Sequence, residues 1–143
     1  MFKRLSGAPN VQYMPKKAST AFLNGSLVYA DGSGAVQPAD NTSGQHLGII
    51  LRAVTSGDDD YASTTMVPLD VPGPNDLFEV DVPNGDLATS DVGNTCDLDA
   101  ENPESIDPDA TSKNVVTIVG YISASKAIVK INAMVGVKDV ATT

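Results

Sequence analysis

Hydrophobic and polar positions alternate along several short stretches of this chain, which is the pattern of half-buried β-strands. Residues 77–82 and residues 126–132 both follow it. Every second side chain of such a strand points to the same face. The predicted inward positions are Phe78, Val80 and Val82 in the first stretch and Ala127, Val129 and Ile131 in the second.

Two other runs, residues 47–51 and 115–122, are apolar at nearly every position. They are too short and too rich in β-branched residues to favour helices. A strand that is apolar on both faces is covered on both faces. We therefore interpret each run as a central strand or as a strand covered by another subunit.

Turn residues separate these stretches. Asn-Gly pairs at residues 24–25 and 84–85 predict two β-hairpins, and residues 31–34 predict a further turn. One helical turn is expected within residues 87–92, closed by Gly93. The predicted fold is all-β, a compact single-domain barrel or sandwich of about 7–8 short antiparallel strands.

Charge divides the chain into parts. Residues 58–109 hold fifteen of the eighteen acidic residues and none of the nine basic ones. Residues 1–20 are basic and contain two prolines, so we predict an extended N-terminal arm there. Residues 21–143 form the predicted domain, with an acidic loop at about residues 97–113.

Net charge and cysteine count exclude several classes of protein. The formal charge of −9 argues against binding nucleic acid or an anionic membrane. No apolar run is long enough for a membrane span or a signal peptide. The single cysteine, Cys96, forms no intramolecular disulfide and is predicted to be buried. We expect a soluble protein released into the cytoplasm.

No catalytic pattern is present, so we predict that the chain is not an enzyme and uses no cofactor. Any Ser-His-Asp or Cys-His arrangement has to use His46, the single histidine. A zinc site needs several His or Cys ligands, and the chain has one of each. Paired carboxylates are so common here that their spacing singles out none of them.

A calcium site is the one metal hypothesis. Asp97, Asp99 and Glu101 have the spacing that opens a calcium loop, but the expected glycine and glutamate further along are replaced by Asn102 and Pro108. A solvated acidic loop is therefore favoured, and no metal ligand is assigned. The alternative function is a free β-sandwich module that recognises a ligand or glycan with calcium.

The order of short motifs along residues 24–133 resembles that of the decoration, or cement, proteins of tailed-bacteriophage heads. The motifs are generic β-structure punctuation. The resemblance implies a non-enzymatic protein on the capsid exterior of the virion, which cements neighbouring subunits of the major capsid protein. It also implies a homo-oligomer, with a trimer favoured and a dimer as the alternative. The stretches that carry it are residues 24–29, 34–39, 46–54, 76–80, 90–98, 119–122 and 127–131.

The N-terminal arm has two interpretations. It orders on a partner, by adding a strand to a sheet edge, or it folds back on its own domain. In the partner interpretation the arm reaches across a capsid subunit seam, and its deletion leaves the fold intact but abolishes capsid binding. The predicted partner-binding residues are four cations that attract the partner and three side chains that supply buried area. These are Lys3, Arg4, Lys16 and Lys17, and Phe2, Tyr13 and Met14.

Overall fold

The computed structural model of this chain describes residues 1–42 and 46–132. Within them lie eleven β-strands and one 3-10 turn at Thr89–Asp91. The strands are β1 (Lys3–Ser6), β2 (Val11–Pro15), β3 (Leu27–Ala30), β4 (Val36–Pro38), β5 (Gly48–Ile50), β6 (Met66–Asp70), β7 (Leu77–Asp81), β8 (Thr95–Leu98), β9 (Ile106–Asp107), β10 (Val116–Ser123) and β11 (Lys126–Ile131).

The strands form two antiparallel sheets. The first sheet has the order β1-β7-β11-β10-β8-β9, and the second sheet has the order β2-β6-β5-β3-β4. The all-β class and the sandwich are thus confirmed, and the sheets do not close into a barrel. The strand count exceeds the expected seven or eight. Part of the excess is β1 and β2 from the N-terminal segment and β9 from the acidic loop.

Alternation predicted β7 and β11 correctly. Phe78, Val80 and Val82 are buried, whereas Glu79 and Asp81 between them are half-buried. Ala127, Val129 and Ile131 are buried in the same way on β11. The two strands pair directly, with Ala127 opposite Val80 and Val129 opposite Phe78. Their inward side chains therefore form one continuous apolar surface.

Two apolar clusters hold the sheets. The larger one lies between the sheets and includes Phe78, Val129, Leu27 and Ile49. The smaller one includes Phe22, Val28, Ile50 and Leu69 and lies on the opposite face of the second sheet. Ile49 and Ile50 are neighbours in β5 but belong to different clusters. The central strand of the second sheet is therefore covered on both faces, as the apolar run at residues 47–51 predicts.

The second apolar run, residues 115–122, forms most of β10, which has a neighbouring strand on both sides for only part of its length. β10 lies between β11 and β8, and Val116 and Ile118 are buried. β8 pairs only with the start of β10, at Val116 and Thr117. Beyond that point Val119, Tyr121 and Ile122 are exposed.

All three predicted turns form, but two of them connect strands that do not pair with each other and so close no hairpin. Gly25 and Gly85 both adopt positive φ, as Asn-Gly turns require. However, β7 pairs with β11 and β8 with β10, so no hairpin closes at residues 84–85. Likewise β2 pairs with β6 and β3 with β4 and β5, so none closes at residues 24–25. The turn at residues 31–34 does close the β3–β4 hairpin.

The N-terminal segment is not a separate arm in this fold, which corrects that prediction. β1 is the edge strand of the first sheet and β2 the edge strand of the second. The segment therefore pairs with both sheets of the domain, and the boundary at residue 20 separates no structural unit. Of the two interpretations of the arm, the structure has the one in which it folds back on its own domain.

Candidate partner-binding surface

Arg4 ties the two sheets together. Its Nη2 and Nε atoms donate to the two carboxylate oxygens of Asp70 at 2.7 and 2.9 Å, and its Nη1 lies 2.8 Å from Oδ2 of Asp76. The guanidinium also lies over the ring of Phe78, 4.9 Å from its centroid. The hydrogen bond with Asp70 raises the pKa of Arg4, and this outweighs burial, which lowers it. The side chain of Arg4 is therefore occupied by contacts within its own chain.

Phe2 and Lys16 are also used internally. Phe2 is 3% exposed and belongs to the cluster between the sheets. Lys16 is 0% exposed, and its ammonium donates to three backbone carbonyls at 2.6, 3.1 and 2.6 Å. Those carbonyls belong to Asp60, Tyr61 and Ser63. The ammonium thus fixes the turn that follows the acidic triplet.

The predicted partner-binding set is therefore corrected in part. Phe2, Arg4 and Lys16 cannot offer their side chains to a partner in this fold, because they are buried or ion-paired within the chain. Met14 is half-buried against the smaller apolar cluster. Lys3, Tyr13 and Lys17 are exposed, and for these three the partner role stays a prediction.

The structure places Tyr13 in a strip of apolar side chains on the second sheet, all of them exposed except the half-buried Pro68. Tyr13 lies opposite Pro68 on β6, and the amide of Leu51 donates to the carbonyl of Pro68 at 3.0 Å. Pro15 lies opposite Met66 on the same face. Tyr13 is 61% exposed and Met66 56%. We call the set formed by Val11, Tyr13, Leu51, Met66 and Pro68 the apolar strip.

Sequence reasoning found Tyr13 but missed Leu51 and Met66. Leu51 ends an apolar run that predicts burial, and its exposure depends on where the first sheet stops covering the second. Met66 follows a polar stretch and has no period that marks it. No local signal identifies either residue, because the strip exists only once β2, β6 and β5 are adjacent.

The hypothetical calcium ligands are occupied within their own loop. The carboxylate of Asp97 accepts backbone N–H bonds from Ser112, Lys113 and Asn114 at 2.6–3.0 Å. Asp99 likewise accepts the amides of the two residues that follow Ala100. Both aspartates are buried. Their oxygens hold the chain's turns, so they do not form the open carboxylate set that the spacing suggests.

A different acidic group comes together in space. One carboxylate oxygen from each of Asp86, Asp107 and Asp109 lies within 4.8 Å of the others. The hydrogen bond with Asp86 and the charge of Asp86 raise the pKa of Asp109. Sequence spacing gives no hint of this group, because Asp86 precedes β8. Exposed acidic groups of this kind are common without an ion, so we assign no metal here.

The single histidine and the single cysteine are both buried. His46 is 0% exposed, and neither ring nitrogen has a hydrogen-bond partner in the described part of the chain. Burial lowers the pKa of His46 to about 4, so its ring is neutral at pH 7. Burial raises the pKa of Cys96 to about 12, which keeps the thiol protonated and unreactive.

His46 gives a pH prediction. A group that binds its proton less well when folded stabilises the fold above its unfolded pKa and loses that contribution as pH falls. With a folded pKa of about 4 and an ordinary value of 6.5, the free energy of unfolding should drop by about 2 kcal/mol between about pH 7 and pH 5. Because the chain has one histidine, proton NMR of the ring measures its pKa directly. A measured value near 6.5 would contradict the buried placement.

No protein-family model matches this chain, and no curated protein matches it either. Within residues 1–42 and 46–132, no helix is long and apolar enough to cross a membrane. The case for a function therefore depends on the surfaces of the fold.

Proposed function

We propose that this chain is a non-enzymatic structural protein that binds a protein assembly through the apolar strip. The observation that carries the proposal is the exposure of Tyr13 and Met66, which lie diagonally across from each other on the paired strands β2 and β6. Exposed apolar patches of this kind mark protein interaction sites. Tyrosine is among the residues that most often dominate binding energy at such sites.

The assembly we propose is the outer shell of a tailed-phage capsid, with the major capsid protein as the partner. Support comes from the motif order that resembles head decoration proteins and from an all-β fold with exposed apolar side chains. A shell presents many copies of one site. An oligomer, most simply a trimer, binds such a shell far more tightly than one copy does, because the second contact becomes intramolecular.

Replacing Tyr13 with serine is expected to weaken binding to capsid shells by about 30-fold, the loss of a hot-spot side chain worth about 2 kcal/mol. The unfolding temperature should stay nearly unchanged, since the ring is mostly exposed. The measurement is co-sedimentation with tailed-phage shells assembled without their decoration proteins, over a range of protein concentrations.

Tyr121→Ser is the matched control. Tyr121 is also exposed, but it lies on β10 of the first sheet and outside the apolar strip. The Tyr121→Ser variant should bind shells as tightly as the unaltered chain does. Equal losses in the two variants would show that the strip is not the contact, and failure of the unaltered chain to bind any shell would refute the capsid proposal.

A further inference from the structure

Residues 1–6 contact the domain as a bound peptide does. Lys3 and Arg4 pair with Glu79 and Phe78 on β7, and the amide of Phe2 donates to the carbonyl of Gly25 at 2.7 Å. Each of these partners lies far along the chain from β1. Within residues 1–42 and 46–132, the backbone of β1 pairs with β7 and not with β2.

Two side chains give this contact its specificity. Phe2 and Arg4 are two residues apart, so they project from the same face of the strand. Phe2 fills a place in the core, and Arg4 enters between Asp70 and Asp76. Strand addition works in this way, with main-chain bonds that supply affinity and alternate side chains that select the sequence.

Charge favours the same contact. The strand that is added carries Lys3 and Arg4 and no acid. The surface that receives it carries Asp70 and Asp76 around Arg4. It also carries Glu79 and Asp81 along β7. A cationic strand with an aromatic residue two positions before an arginine therefore fits this edge.

Few hydrogen bonds hold the segment that joins β1 to β2. Residues 7–9 are exposed and make no hydrogen bond to any residue that the structure describes. The linker ends at Asn10, whose amide donates to Asp70 at 3.2 Å and whose carbonyl accepts the amide of Val71 at 2.9 Å. Gly7 has a φ of +87°, and Pro9 stiffens the segment. A short exposed linker between an edge strand and its domain is the arrangement in which two copies exchange that strand, because the contacts made are the same in either copy.

We propose that the edge of β7 is a strand-acceptor site that takes residues 1–6 of a second copy of this chain. The linker at residues 7–9 reaches between the copies. Phe2 of one copy then fills the core position of the other, and Arg4 binds the other copy's two carboxylates. This inference stands apart from the capsid proposal, since it needs no shell.

The experiment mixes two full-length variants, Lys3→Cys and Glu79→Cys. Residues 3 and 79 are directly opposed in the antiparallel pair, so their Cα atoms are close enough for a disulfide. The variants are unfolded together, refolded at about 0.1 mM each and oxidised. A tether of this length gives an effective concentration of order 1 mM, so roughly a tenth of the chains should form the interchain disulfide.

Two controls make the result decisive. A mixture of Lys17→Cys with Glu79→Cys reports random collision, because Lys17 is exposed but does not lie opposite β7. The double variant Lys3→Cys/Glu79→Cys reports the pairing itself and should also close within one chain. An interchain yield above the collision control, rising with concentration, supports exchange. A yield equal to that control overturns it, as does failure of the double variant to form any disulfide.

Discussion

Replacing Phe2 with alanine is expected to lower the free energy of unfolding by about 3–5 kcal/mol, the range for truncating a buried phenylalanine. Phe2 is 3% exposed and packs in the cluster between the two sheets. Its removal leaves a cavity among residues that belong to both sheets, so neighbouring side chains cannot collapse without moving a sheet. Urea unfolding followed by circular dichroism measures the loss.

Leu5→Ala is the control for this prediction. Leu5 lies on the same strand but is exposed, so its truncation should cost no more than about 0.5 kcal/mol. If both variants unfold at the same urea concentration as the unaltered chain, the N-terminal segment does not dock on the domain and the arm is separate after all. The sequence alone predicts that deleting residues 1–20 leaves the fold intact. Because this segment packs in the core, its deletion should instead destabilise the fold as well as alter binding.

Local sequence patterns predicted correctly those features that depend only on neighbouring residues. The alternation in residues 77–82 fixes which side chains of β7 face inward, because a strand has a period of two whatever it pairs with. The turn at residues 31–34 is set by its own residues. The carboxylate of Asp31 accepts the amides of Ser33 and Ala35, and these bonds lower the pKa of Asp31.

Pairing between distant segments could not be read in the same way. Both Asn-Gly turns form, yet neither joins neighbouring strands of one sheet, because the turn residues fix a change of direction and not the strand that lies beside it. The cations of the N-terminal segment illustrate the same limit. Lys16 and Lys17 are identical in type and adjacent, but one is buried and the other exposed. Composition suggested a surface role for both.

The candidate binding surface was accessible to sequence reasoning only through Tyr13. An aromatic residue in a basic, proline-containing segment is unusual enough to attract notice. The neighbours that turn it into a strip come from β6 and from the residue after β5. Such a surface depends on the order of strands in a sheet, and no period or spacing in this chain encodes that order.

Replacing Lys16 with methionine is expected to lower the free energy of unfolding by about 2–4 kcal/mol. Methionine is one heavy atom shorter than lysine and has a similar flexible apolar stem, so packing changes little. The loss arises because three backbone carbonyls each lose the charged ammonium as their hydrogen-bond donor. Part of that loss is offset, because methionine removes the cost of burying an ammonium. Thermal and urea unfolding measure the difference.

Lys17→Met separates this effect from the general loss of a positive charge. Lys17 is exposed, and its ammonium bonds only the side chain of Gln37, at 3.3 Å, among the residues that the structure describes. The two variants have the same net charge, so long-range attraction to the acidic body falls equally in both. A large loss for Lys16→Met beside a small one for Lys17→Met locates the stabilisation in the three carbonyl bonds. Equal losses would instead assign it to charge alone, and the turn at Asp60–Ser63 would then need no lysine to hold it.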